Sequence, residues 1–388
     1  MSNTLNLGNG IWATKEDSLL AYNSESGNYK PLPFSFTRAS SATVVNKAGL
    51  IETVQSGIPR IDFLGNTNGA LLLEPQRTNS ITNSETFGST GWSDLNFGTA
   101  NPNIVSDNYA ISPDGTQNAQ RIQFDLGGGT TASDRSIIRQ SIASQSDWVL
   151  SVWMKSTNGT QQKVLWQVGA DENETTVTGE WQRYTFDKNG IAVGFAGLSL
   201  RGGISTVDTA DILVYGFQVE QSSYPTSYIP TQGSTVTRNL ETCTGAGNDQ
   251  VINSTEGVLY AEISALADDA GIRRWVSISD GTLTNYVGFY LDTGVIKILH
   301  NNRNSNPSFS MTITDFHKIA LRWIGGVLDC YIDGTNVMND TYTLDATGMN
   351  ELNLSRYDNT KFFYGNTKDV RVYDTALTDA ELISLTSL

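Results

Sequence analysis

Residues 211–221, DILVYGFQVEQ, decide the fold class of this chain. Leu213, Tyr215, Phe217 and Val219 fall on one face of an extended strand, and Ile212, Val214, Gly216 and Gln218 on the other. The same period of two returns upstream in AQRIQFDL (119–126), SIIRQSI (136–142), WVLSVWMKS (148–156), QKVLWQVG (162–169) and EWQRYTFD (180–187). Tight-turn pairs punctuate the series at Asp114-Gly115 and Asn158-Gly159. Short strands at regular spacing, with no helical pattern between them, predict a β-sandwich or jelly roll over residues 81–231.

A second series occupies residues 251–388: GVLYAEIS, RRWVSISD, YVGFYLD, VIKILHN, HKIALRWIG, VLDCYIDG, ELNLSRY and TKDVRVYDTALTDAELISL. In KIALRWI, Ile319, Leu321 and Trp323 alternate with Ala320, Arg322 and Ile324. Gly325-Gly326 and Asp333-Gly334 are hairpin turns by composition. One helix is expected, at the end, where Thr378 and Glu381 have the spacing of a capping box. Residues 232–250, rich in Gly and Thr, read as a linker, although Leu240 and Cys243 suit a strand.

The composition narrows the function. A chain of 388 residues holds two or three domains. Charged residues are 17 % and aromatics 10 %, which excludes a disordered chain. The net charge of −15 argues against nucleic acid or an anionic membrane as partner, and acidic loops suit calcium. No window approaches 18 consecutive apolar residues, so no membrane-spanning helix is expected, and the first residues lack the pattern of a signal peptide. Folding in the cytoplasm of the producing cell is therefore expected. Two cysteines, Cys243 and Cys330, cannot build a disulfide framework and have no metal spacing; Cys330, inside a strand, is expected to be a buried free thiol.

Residues 1–80 fit neither series. From Phe34 to Ser80 small polar runs such as RASSAT alternate with short extended ones: VV at 44–45, IPRIDF at 58–63 and LLL at 71–73, the last stopped by Glu74-Pro75. Two readings are open, a β-rich surface linker and an extended segment for attachment or oligomerisation. The fold expected is thus all-β: an N-terminal extended attachment segment (1–80) followed by two antiparallel β-sandwich domains.

Catalytic patterns are hard to find. Asp329 and Asp333 lie four apart, and Asp333 belongs to a turn; Asp171, Glu172 and Glu174 read as an acidic turn more than a hydrolytic pair. The two histidines, His300 and His317, have no nucleophile elbow beside them and no zinc spacing. A non-enzyme is expected.

Three resemblances add to this. FTRASSATVVNKAGLIETV, IPRIDF and GALLLEPQRTNSITNSE, within residues 19–85, look like a module of bacteriophage structural proteins. SETF…GW, SVWMKS, GEWQRYTF and ADILVYGFQVEQSSYPTSYIPT resemble carbohydrate-binding modules of the jelly-roll type. GNTKDVRVYDTALTDAELISL resembles the close of the concanavalin-A-like, laminin-G-type lectin fold. Together they imply a virion fibre or capsid appendage that binds glycans weakly in several copies. It would be made in the bacterial cytoplasm and joined to other virion proteins through its first segment, and a homo-oligomer, guessed as a trimer, would follow. A non-binding decoration protein and a polysaccharide depolymerase are the alternatives.

For sugar contact the candidates are Trp92 and Trp166, whose rings could stack on a pyranose, set against a place in the core for each. Trp153 and Trp181 are expected in the framework. Arg274 and Trp275, with Arg273, follow the acidic pair Asp268-Asp269 and suit either an acidic sugar or a surface ion pair. The resemblance places structural calcium at Glu85 and Asp211, and a further carboxylate ligand at Asp369; the alternative for each is a carboxylate facing solvent.

Overall fold

The computed structural model describes residues 5–15, 17–23, 28–29, 33–168, 171–188, 190, 192–300, 308–341 and 348–388. Among them the protein is almost wholly antiparallel β, with one α-helix. It forms two compact units, one of residues 48–53 and 76–238, the other of residues 1–47, 54–75 and 239–388.

In the first unit two five-stranded sheets enclose one core. One sheet runs in the order Trp92–Phe97, Arg135–Gln145, Val193–Arg201, Gln162–Val168, Asp171–Val177. The other runs Ile104–Ala110, Ala119–Asp125, Thr209–Gln221, Trp148–Ser156, Gln182–Lys188. The alternation expected along residues 211–221 holds as far as Tyr215 and then changes sides. Ile212 and Val214 enter the core, but so do Phe217 and Val219. The register gives the cause. Trp153 pairs with Tyr215 and Ser151 with Gln218, so Gly216 and Phe217 stand opposite the single residue Val152. Gly216, at φ 67°, makes this bulge; a side chain there would be strained and would crowd Trp153 and Tyr228. Tyr215 is left on the outer face, beside Trp153 and Tyr228.

In the second unit a ten-stranded sheet packs on a five-stranded one. Ile319, Leu321 and Trp323 enter the core as their spacing predicts, while Arg322 pairs with Asp329. Gly325-Gly326 and Asp333-Gly334 close two-residue hairpins with positive φ at both positions. The helix Asp379–Thr386 begins with the expected box: the Thr378 hydroxyl accepts from the Glu381 N–H, and the Glu381 carboxylate from the Thr378 N–H. Leu382 then packs with Tyr331 and Tyr373 on the outer face of the large sheet. Cys243 and Cys330 are buried free thiols.

Most of the described residues before 76 do not stand apart from the second series of strands; only residues 48–53 belong to the first unit. Leu5–Gly8 pairs with residues 369–372, and residues 71–73 pair with 365–367. Both segments line one side of the strand Gly365–Tyr373, whose other side is held by Glu256–Ala265. A sheet strand with one side unpaired exposes a row of N–H and C=O groups, and these two segments close it. Leu5, Leu7, Phe34, Phe36, Leu71 and Leu73 enter the core of this unit. The expected linker joins it too: Thr242–Thr244 pairs with Ser35–Thr37.

The polar motifs of that stretch have a buried use. Arg38, Arg60, Glu74 and Glu241 are at most 2 % exposed. Glu241 accepts from Arg38 Nη1 at 2.7 Å, from Arg60 Nε at 2.9 Å and Nη2 at 2.5 Å, and from the Glu74 N–H at 2.8 Å. Arg60 also reaches Glu74 at 2.8 Å and the Thr43 carbonyl at 2.7 Å. Arg38 ties down the carbonyls of Ser40, Gln55 and Ile58. Burial opposes the charge on Arg60, but Glu241 and then Glu74 outweigh it and raise its pKa.

Candidate carbohydrate-binding groove

On the first unit, alternation along Ala119–Asp125 sends Ile122 and Phe124 into the core and leaves Arg121, Gln123 and Asp125 outside. Gln123 stands directly opposite Asp211 on the neighbouring strand. Arg121 grips Asp211 with two parallel bonds, Nε to Oδ1 at 2.9 Å and Nη2 to Oδ2 at 2.5 Å, and lies over the Tyr109 ring at 4.9 Å. Two loops complete the walls. Asn101 donates to Asp125 at 2.8 Å through its side chain, and its N–H reaches the Asp125 carbonyl. The Asn158-Gly159 turn is pinned by Thr157, whose hydroxyl donates to the Asp211 carbonyl at 3.1 Å.

The result is a groove of about 580 Å³ lined chiefly by Asn101, Ile104, Asp125, Asn158, Gln162 and Asp211. That volume lies within the range of small-ligand sites, roughly 300–1,000 Å³. The Asp125 carboxyl is held below the usual carboxylate range by the Gly127 N–H and then by Asn101. It is therefore ionised at neutral pH.

Asp211, expected as a calcium ligand, is thus a groove residue paired to arginine. Glu85 accepts from the Tyr228 hydroxyl at 2.8 Å, and burial pushes its pKa up. Asp369 is 2 % exposed and bound through Oδ2 to Arg371 at 2.5 Å; burial raises its pKa too. Among the described residues no three His, Cys, Asp or Glu side chains group closely enough to hold a metal ion.

The tryptophans expected to stack on sugar are packed instead. Trp166 is 2 % exposed, stacked on Phe186 at 6.0 Å between ring centres, because its strand turns it inward with Val164 and Val168. Trp92 is half-buried against Phe87 and Phe217, with its N–H on the Asn83 carbonyl. Trp153 and Trp181 are half-buried beside Tyr215 and Tyr228, on the outer face rather than in the core.

On the second unit, alternation sends Arg274 to the same side as the core residues Val276 and Ile278, where it is fully buried and donates to the Ile272 carbonyl. A residue so enclosed does not reach a ligand. Trp275 faces the other way, in a ring cluster with Tyr286, Tyr290 and Tyr357. Arg273 is the exposed cation there, over Tyr290 at 5.3 Å and 3.6 Å from Asp292. Trp275 itself is 5 % exposed, so its ring is an inner layer and not an open platform.

Sequence reasoning missed Asn101, Gln123, Asn158 and Gln162. The alternation around Phe124 marks Gln123 as outward, and Asn158-Gly159 is a legible turn, but nothing local places them beside Asp211.

Residues 249–383 match the family model of the concanavalin A-like lectin/glucanases superfamily, Laminin_G_3. The match covers the second series of strands expected from the sequence and less than half of the chain. No curated protein is detectably similar in sequence to the chain. Among solved structures, the chain is similar to the CBM40 module of Ruminococcus gnavus IT-sialidase bound to α2,3-sialyllactose, at 16 % identity and TM-score 0.30, over 36 % of this chain and 86 % of that one. It is also similar to domain 4 of the Geobacillus stearothermophilus GH43 arabinanase AbnA with arabinotriose, at 11 % identity and TM-score 0.31, over 43 % and 84 %. A third likeness is to Trypanosoma rangeli sialidase with the inhibitor DANA, at 9 % identity and TM-score 0.31, over 95 % and 65 %.

Proposed function

We propose that this protein is a non-enzymatic glycan-binding component of a bacteriophage particle, a fibre or capsid appendage. The groove around Asp211 carries the binding half of this reading. It is open, of ligand size, and lined by carboxamides and carboxylates held in place by neighbouring side chains. Groups of that kind match sugar hydroxyls, which both donate and accept. The lectin/glucanase-type domain supports the same reading. The phage setting rests on the motifs of residues 19–85, and a role for residues 1–80 in contacts with other virion proteins is part of the proposal. Affinity per groove is weak, and several copies on one particle supply the avidity.

The test is a screen of the purified full chain against host and environmental polysaccharides, with and without a calcium chelator. Binding supports the reading, and its loss in chelator would restore calcium to it. Absence of binding to every surface would favour a decoration protein, and a fall in polymer viscosity on incubation would make it a depolymerase.

A further inference from the structure

We infer that the groove takes an uncharged saccharide segment with neighbouring free hydroxyls, and that Asp211 serves it as a hydroxyl acceptor without any metal. This deepens the glycan-binding reading and rests on it. Four observations define the ligand.

The first is charge. The groove contains two carboxylates, Asp125 and Asp211, and no lysine or arginine among its described lining residues. The adjacent cation, Arg121, is spent on Asp211 through both of its parallel bonds. A uronate, sialate or sulfate would meet the charge of Asp125, which only neutral donors hold, on a chain that already carries −15.

The second is donor supply. The Asn158 side-chain oxygen accepts from the Thr160 N–H at 3.0 Å and hydroxyl at 2.7 Å, and the Gln162 oxygen accepts from the Asp211 N–H at 3.2 Å. With the oxygens committed, both carboxamide NH₂ groups remain as donors to a ligand.

The third is acceptor supply. Each Asp oxygen has two lone pairs; the bonds from Arg121 and Gln123 to Asp211, and from Asn101 and Gly127 to Asp125, leave one acceptor position on Asp211 Oδ1 and one on each Asp125 oxygen. Donors and acceptors thus stand side by side, which suits a diol and suits neither a pure anion nor a pure cation.

The fourth is the apolar wall. Ile104 is 58 % exposed beside Pro102, and gives the C–H face of a sugar ring an aliphatic surface.

The experiment measures binding to the full chain by saturation-transfer NMR and titration calorimetry, with ligands up to millimolar concentration. One panel is neutral (gluco-, manno-, galacto- and xylo-oligosaccharides). The other is acidic and of matched length (oligogalacturonate, sialyllactose, sulfated oligosaccharides). The variants are Asn158→Ala with Gln162→Ala, two surface changes whose fold is checked by thermal melting, and Asp125→Asn. A neutral oligosaccharide is expected to bind, to be unaffected by chelator, and to lose about tenfold in affinity in the double variant as two hydrogen bonds go. Binding of the acidic panel alone, weakened by the Asn158→Ala/Gln162→Ala double variant and strengthened by Asp125→Asn, would overturn the ligand class and keep the groove as a glycan site. Loss of binding in chelator would overturn the metal-free role of Asp211. Binding that the variants leave unchanged would remove the groove itself, and no binding in either panel would remove the glycan reading with it.

Discussion

Replacing Glu241 by glutamine is the sharpest test of what holds the second unit together. Glu241 is fully buried and is the shared partner of two fully buried guanidinium groups, Arg38 and Arg60. With Glu74 the four groups sum to zero charge. Glu241→Gln keeps the shape but leaves a net positive charge among four buried side chains. Breaking one partner of a buried pair costs about 3–5 kcal/mol. For a unit of this size each kcal/mol moves the melting midpoint by about 2–4 °C, so the fall should be roughly 6–20 °C. Differential scanning calorimetry reads the midpoint, and hydrogen exchange in the strand Gly365–Tyr373 assigns it to this unit. Arg273→Gln is the control: Arg273 pairs with Asp292 at 3.6 Å with half its side chain exposed, so the loss should be about 0–1 kcal/mol. If Glu241→Gln lay within about 1 kcal/mol of wild type, the ion cluster would be no keystone. The edge strands alone would then hold the first residues in place.

Other outcomes follow from single contacts. Gly216→Ala forces a Cβ onto a left-handed residue 3.1 Å from the Trp153 ring, and should cost the first unit about 1–3 kcal/mol in urea titration. Thr378→Ala removes the acceptor of the Glu381 N–H and should cost about 1 kcal/mol, read as faster exchange at Glu381. Burial raises the Glu85 pKa, so its favourable contribution is full below the ordinary glutamate range and is lost as pH rises through the raised value. In Glu85→Gln the first unit should therefore lose less stability than wild type as pH rises above the ordinary glutamate range; an equal loss would place the pH dependence elsewhere.

Local patterns were readable in the sequence where they were purely local. The period of two in KIALRWI, the Gly-Gly and Asp-Gly turns, and the Thr378–Glu381 box each depend on a few neighbouring residues, and the fold uses them as read. An all-β sandwich architecture followed from those patterns alone. The register around Gly216 did not. A glycine in an alternating run is silent until a partner strand shows two residues facing one. Trp166 and Arg274 carried the same ambiguity, since an aromatic ring or a guanidinium suits a ligand site or an interior, and only packing decides. RASSAT, PRIDF and LLLEP read as a surface linker or an attachment segment because their Arg and Glu side chains are polar by composition. Their partner Glu241 lies 181 residues from Arg60, and only the tertiary structure brings the two within 2.5 Å. The groove was hidden for the same reason: Asn101, Gln123, Asn158 and Asp211 come from four separate stretches. Side-chain alternation is a property of one strand, whereas a charge cluster or a binding groove is a property of strands that meet.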